Sequence, residues 1–369
     1  MNRIILIGNG FDLAHKLPTK YEDFINWYWD KWLEKLNYSQ NKIEKDILCT
    51  FECKDNGVST WMYHFHFNSV FIPKSGKDFI KYIKSNPNLY SLEFTPFMKR
   101  ICMSIEAKGW VDIENEYYKS LLSIVQSENA DNAAKKLNDE LDYIKSLLAE
   151  YLTTVQKDIT PAIVNTDIKQ KIFEPFRPND ISVEGRKKFY QDFLMTNMKI
   201  TYPATITILN FNYTSTADIY AEGIDNCKVN HIHGYLDNYQ SIIFGYGDEF
   251  DRDYKSLLDL NDNEFLRNIK SIRYLEYDYY RKLLSYIGMG PYQIYIMGHS
   301  CGNSDRTLLN TLFEHGNCIS IKPFYYKKND NSDNYIEIVQ NISRNFTNRE
   351  KMRDRIVNKT YCETLPQNE

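Results

Sequence analysis

No stretch of this chain approaches the eighteen consecutive apolar residues that a membrane-spanning helix needs, so no transmembrane span is expected. The first apolar run is the four residues after Arg3 and stops at a glycine, too short for the core of a secretory signal. Cysteine is sparse and odd in number. Its seven residues, at 49, 53, 102, 227, 301, 318 and 362, are scattered, which favours reduced thiols and a cytoplasmic location over a disulfide framework. No internal repeat and no low-complexity tract occurs. Glycine and proline, 15 and 11 of 369 residues, nowhere mark a flexible linker. An excess of one charge is also lacking. With 45 basic and 49 acidic residues the net charge is −4, so no general field for polyanions is implied, although a local basic groove is not excluded.

What is present is an apolar content of 43%, enough for a real core, in a length that suits one large domain or two ordinary ones. The 29 tyrosines read mainly as compositional bias. Four β-branched, apolar runs each end in a short polar segment. Ile4–Ile7 runs into Gly8-Asn9-Gly10-Phe11-Asp12, and Thr205–Leu209 into Phe211-Asn212-Tyr213-Thr214. Lys228-Val229-Asn230 leads to His231-Ile232-His233-Gly234, and Ile294–Met297 to Gly298-His299-Ser300. In an open α/β sheet, ligands bind beyond the carboxyl ends of the strands, so four such ends at one rim would form one site.

The pattern predicts an α/β fold, a Rossmann-like parallel sheet with a large, mainly helical insertion. Strands are expected at 3–7, 204–212, 228–233, 241–246, 292–298 and 317–325. Helices are expected at 251–287, 304–315 and 335–359. Residues 1–19 plus 200–369 would form the nucleotide-binding core, and 20–199 the insertion. Within the insertion, Leu137, Leu141, Ile144, Leu148, Leu152 and Val155 step by four and three, an amphipathic helical stripe. Asp112 is placed to cap a helix. The aromatic stretches Trp27, Tyr28, Trp29, Trp32 and Trp61, Tyr63 suit a core or a subunit contact better than base stacking.

Each polar segment has a functional and a plainer reading. Gly8-Asn9-Gly10, between strand and helix, lets backbone N–H groups approach a pyrophosphate. The full dinucleotide fingerprint fails because Leu13 stands where a third small residue belongs. The plainer alternative is a strand–helix turn without a ligand. Asp12 either binds a ribose hydroxyl or caps the helix. Asn212 can orient both a water and a sugar hydroxyl, because an amide donates and accepts. Alternation along a strand would put His231 and His233 on one side, where a histidine serves as proton acceptor near neutral pH. The alternative is a hydrogen-bonded pair in the core or at the rim. Catalytic zinc wants three protein ligands and only a His pair is local, while the spacing of Cys49, Cys53, His64 and His66 matches no strong zinc pattern, so no metal is expected.

Gly298-His299-Ser300-Cys301-Gly302 formally matches the nucleophile elbow of serine hydrolases. Such an enzyme needs a later histidine, and only His315 follows, inside the expected next helix. The other reading is that Ser300 and Asp305 hold a nucleotide's ribose or phosphate.

The ordered set resembles the AbiH family of phage abortive-infection proteins. The resemblance rests on Ile4 to Phe24, Trp110 to Tyr117, Phe211 to Thr214, His231 to Gly234 and Gly298 to Asp305. It spans most of the chain, and the opening segment is the most distinctive. AbiH-like proteins in turn look distantly like sirtuin-type NAD-binding domains. That likeness falls on Gly8 and Gly10, Asn212, His233-Gly234, and Gly298 with Ser300. It implies NAD as substrate, hydrolysed at the nicotinamide–ribose bond, with Asn212 and His233 as the catalytic pair. It also implies Gly8, Asn9, Gly10, Asp12, Gly298, Ser300 and Asp305 as the binding residues. The two Cys pairs by which sirtuin deacylases hold zinc are not evident, so deacylation is not implied. Two alternatives stay open: a non-catalytic nucleotide sensor or scaffold, and a serine hydrolase using Ser300. A defence role further implies a phage-derived trigger, and a homo-oligomer is left open.

Overall fold

The computed structural model describes residues 1–54, 61, 73–108, 112–125, 129–187, 190, 201–328 and 332–368. Its chain divides into two compact units, Met1–Pro18 with Leu152–Glu369, and Thr19–Tyr151.

In chain order, β1 (Asn2–Ile7) opens the first unit. Then β2 (Ile43–Lys45), β3 (Cys49–Cys53) and β4 (Tyr90–Phe94) form a separate antiparallel sheet in the second. The chain returns to the first unit with β5 (Ile206–Asn210), β6 (Cys227–His231), β7 (Tyr292–Met297) and β8 (Cys318–Phe324). With β1 these make a five-stranded parallel sheet in the order β6-β5-β1-β7-β8. Its strands thus come third, second, first, fourth and fifth in sequence. The winding reverses at β1, the point where an open α/β sheet offers a crevice.

The apolar runs are continuous because both faces of the sheet are covered. Ile4 and Leu6 of β1 join Leu209, Ile294, Ile296 and Ile321 in one buried cluster. Ile5 and Ile7 point the other way, into a cluster with Ile206, Ile208, Tyr295 and Met297. Truncating one of these isoleucines to alanine would cost about 2–5 kcal/mol.

The five sheet strands lie where the apolar runs placed them, and three other expectations need correction. Residues 241–246 do not join the sheet. Instead the Ile243 N–H donates to the His233 carbonyl at 2.9 Å, folding the segment back on the turn after β6. The helices expected to fill 251–287 occupy only part of it, as Tyr254–Asp259, Lys270–Arg273 and Tyr279–Gly288. Asn261 takes a left-handed φ of 54° in the first break, where an asparagine is tolerated. The helix expected over 335–359 stops at Arg344 and restarts at Arg349, capped by the Asn348 side chain.

The second unit contains the expected helices as well as its small sheet. In the helix Ala130–Gln156 the stripe Leu137, Leu141, Ile144 and Leu148 is buried. Asp112 accepts the Asn115 N–H at 3.0 Å as the cap of the helix Ile113–Ile124. Tyr28, Trp29, Trp32 and Trp61 are core residues, with Trp61 edge-on to Phe51 and Phe79. Tyr63, His64, His66 and Trp110 lie outside the described residues. Leu152 to Arg186, expected within the insertion, packs instead with the first unit. Ile168 and Ile172 enter the cluster of Ile5 and Ile7, because the strand face there needs a helix to cover it.

Candidate functional site

The parallel sheet brings the ends of β1, β5, β6 and β7 to one rim, and the side chains there form two adjoining groups. The first is built on β5. Asn210, buried at the strand end, accepts the Asn212 N–H at 3.0 Å and donates its amide to the Thr214 carbonyl at 3.1 Å. That local turn turns Asn212 toward β1, where its Nδ2 donates to the Gly8 carbonyl at 3.1 Å. Thr214 Oγ1 donates to Asp12 Oδ2 at 2.7 Å. Asp12 is buried, and its Oδ1 has no hydrogen-bond partner among the described residues. Burial pushes this carboxyl up to about 6, against hydroxyl and amide donors from Thr214, Thr216 and Asn212 that act to lower it.

The second group surrounds Asp305. Lys270 Nζ lies 2.8 Å from Asp305 Oδ1, and His233 Nε2 lies 3.2 Å from the same oxygen. His299 Nε2 reaches Asp305 Oδ2 at 3.5 Å, and its Nδ1 accepts the Cys301 N–H at 3.0 Å. The Tyr274 hydroxyl sits 3.1 Å from His233 Nε2, with the two rings stacked. All five of these side chains are buried. Desolvation acts to raise the Asp305 pKa, but Lys270 and the two imidazoles outweigh it and hold the carboxyl well below its usual range. Burial, then the Lys270 charge, lowers His233 to about 4 against the pull of Asp305, so the imidazole is neutral at pH 7.

The two groups meet at Gly8 and Phe211. A side chain at Gly8 would lie 2.8 Å from the His299 Cα, so this glycine is what lets the first turn touch the last. The Phe211 ring packs 4.0 Å from the His299 ring and 5.1 Å from that of His233, centroid to centroid. Gly10 donates its N–H to the Gly298 carbonyl at 2.9 Å. Both glycines therefore serve a close joint between two backbone turns. The N–H of Gly10 is engaged in that joint, and Asn9 is the exposed residue of the turn.

The other residues singled out from the sequence fall elsewhere. His231 and His233 do not share a direction. β6 ends at His231, whose Nε2 meets Asp218 at 3.1 Å, and the turn that follows swings His233 to Asp305. Gly234, at φ +79°, permits that turn, and an added side chain would strike the Ser241 carbonyl at 2.1 Å. Ser300 is exposed and its carbonyl accepts from Asn341 at 2.8 Å. His315 stacks on Tyr292, the first residue of β7, whereas Ser300 lies beyond the last, so the two stand at opposite ends of that strand. Three members of the Asp305 group, His299, Lys270 and Tyr274, had not been picked out as site residues. His299 sat in plain view between Gly298 and Ser300, while nothing local marks Lys270 as buried.

Fold and rim together define a doubly wound α/β protein with a buried histidine–carboxylate–lysine cluster at the crevice end of its sheet. The sequence profile described as "Bacteriophage abortive infection AbiH" matches residues 4–327, and the chain belongs to that family. A comparison with curated proteins finds no match. Among the described residues no helix is long and apolar enough to cross a membrane.

Proposed function

We propose that this chain is an abortive-infection effector that hydrolyses the nicotinamide–ribose bond of NAD. The observation that carries the reading is His233, neutral and anchored on Asp305, at the same rim as the Asn212 amide, with the ring of the adjoining Phe211 packed 5.1 Å from its own. The bond is weak because nicotinamide leaves as a neutral ring from a cationic state. The transition state resembles an oxocarbenium ion. His233 takes the proton of the attacking water, a role worth typically about 10²–10⁴ in rate. Water oxygen bonds to the ribose carbon as the bond to nicotinamide breaks, giving ADP-ribose, nicotinamide and a proton. Asn212, whose Nδ2 is tied to Gly8, offers its oxygen to the water and the sugar. Asp12 supplies negative charge beside the developing cation. The pyrophosphate lies over Gly8-Asn9-Gly10 and Gly298, and Ser300 is available for the adenosine ribose. Asp305, engaged by Lys270 and the imidazoles, faces inward.

Incubation of the purified protein with NAD, followed by chromatography for free nicotinamide, tests this directly. Full phage protection by His233→Ala would remove His233 from the mechanism. A second reading, a nucleotide sensor without turnover, is favoured by the engagement of the Gly10 N–H with Gly298. Tight NAD binding with no nicotinamide released would support it.

A further inference from the structure

Two imidazoles and one ammonium group converge on a single buried carboxylate, and this constrains where the protons are. An ionised carboxylate only accepts hydrogen bonds. His299 Nδ1 already accepts from the Cys301 N–H, so the His299 proton is on Nε2, the nitrogen that faces Asp305 Oδ2. His233 likewise presents Nε2 to Asp305, at 3.2 Å, where an N–H is drawn to the carboxylate and the Tyr274 hydroxyl, 3.1 Å from the same nitrogen, is left to accept. Its Nδ1 has no hydrogen-bond partner among the described residues. The Lys270 ammonium, 2.8 Å from the same carboxylate oxygen, holds Asp305 in the accepting, charged form. The groups that face His233 are thus Asp305, Lys270, His299 and the Tyr274 hydroxyl, with the apolar edge of Phe211 alongside.

We propose that Asp305 and Lys270 are positioning residues that lock His233 in its Nε2–H form and leave Nδ1 as the atom that takes the proton in the reaction. The part concerning the reaction rests on the NAD-cleaving function above; the part concerning the tautomer does not. A histidine whose outer nitrogen donates to a carboxylate has both its rotation and its tautomer set, which is what a general base requires. In this arrangement the second imidazole, His299, occupies the other oxygen of Asp305 and stops the carboxylate from turning away.

The test is nitrogen NMR of the full-length protein labelled at its histidines. The resonances are assigned by their loss in His233→Gln and His299→Gln. We expect both side chains to be protonated at Nε2 and unprotonated at Nδ1 near pH 7. In Asp305→Asn the amide can present either a donor or an acceptor, so a second, Nδ1–H population of His233 should appear. With NAD as substrate the same variant should lose roughly 10²–10⁴-fold in kcat, with little change in KM. A wild-type His233 protonated at Nδ1 overturns the proposal without any need for a folded variant. So does an Asp305→Asn protein with unchanged tautomer and unchanged kcat. The expected tautomers in a protein that never releases nicotinamide would instead leave the positioning intact and remove the NAD-cleaving function.

Discussion

Lys270 Nζ lies 2.8 Å from Asp305 Oδ1, and the lysine side chain has no exposure to solvent at all. A buried ion pair of this kind is costly to form and costlier to break from one side. Removing one partner typically loses about 3–5 kcal/mol. In Lys270→Met, however, Asp305 still has His233 beside it. Without the lysine charge, the His233 pKa should rise toward its unfolded value, with burial, the larger cause of the depression, still holding it down. A lowered histidine loses its contribution as pH falls below 6.5, and a smaller depression makes that loss smaller. Urea unfolding of Lys270→Met should therefore show a smaller loss, relative to wild type, at pH 5.5 than at pH 8.

Asp12 and His233 give the native protein opposing pH dependences. Asp12 is raised to about 6, so its contribution is full below 3.8 and is lost as pH climbs through 6. His233 is lowered to about 4, so its contribution is full above 6.5 and is lost as pH falls toward 4. Each shift is of order 3 kcal/mol at about 1.4 kcal/mol per pKa unit, and over pH 4–6 the two slopes partly cancel. Asp12→Asn removes one of them. Its stability, from denaturant melts at several pH values, should rise more steeply than wild type from pH 4.5 to 6.

Glycine matters at Gly298 for two reasons. Its φ is +81°, and an added Cβ would fall 2.1 Å from the Phe11 backbone nitrogen. Gly298→Ala should yield little soluble, folded protein. Gly223 has a similar φ of +72° and nothing within 4 Å of its added Cβ. Gly223→Ala should lose only the left-handed penalty, about 1–2 kcal/mol in thermal or urea melts.

Ser300 is exposed, and no hydrogen bond from either histidine at the rim reaches it. Ser300→Ala should change stability by less than about 0.5 kcal/mol. A serine-directed fluorophosphonate should not label the wild-type residue. Covalent labelling at Ser300 would restore the hydrolase alternative.

Much of the first unit was legible along the chain. Runs such as Ile4–Ile7 and Ile294–Met297 are apolar without interruption, which only a strand covered on both faces or a buried helix permits, and the glycines that follow set their length. The three-stranded sheet of the second unit was not legible. β2 is three residues long and pairs with β3 by contacts no local pattern announces. The His231–His233 reading failed because alternation holds only while the strand continues, and here it stops at His231.

Taken alone, the chain determined that four polar segments would follow buried strands, and that Gly8, Asn212, His233 and His299 would be among them. Those are consequences of local composition and backbone freedom. Which side chains then met was decided only by the tertiary structure. The partner of a buried charge is chosen by proximity in space, and the residues that share Asp305 stand at 233, 270 and 299, on separate turns and helices. No spacing rule links them. The winding of the sheet about β1 does.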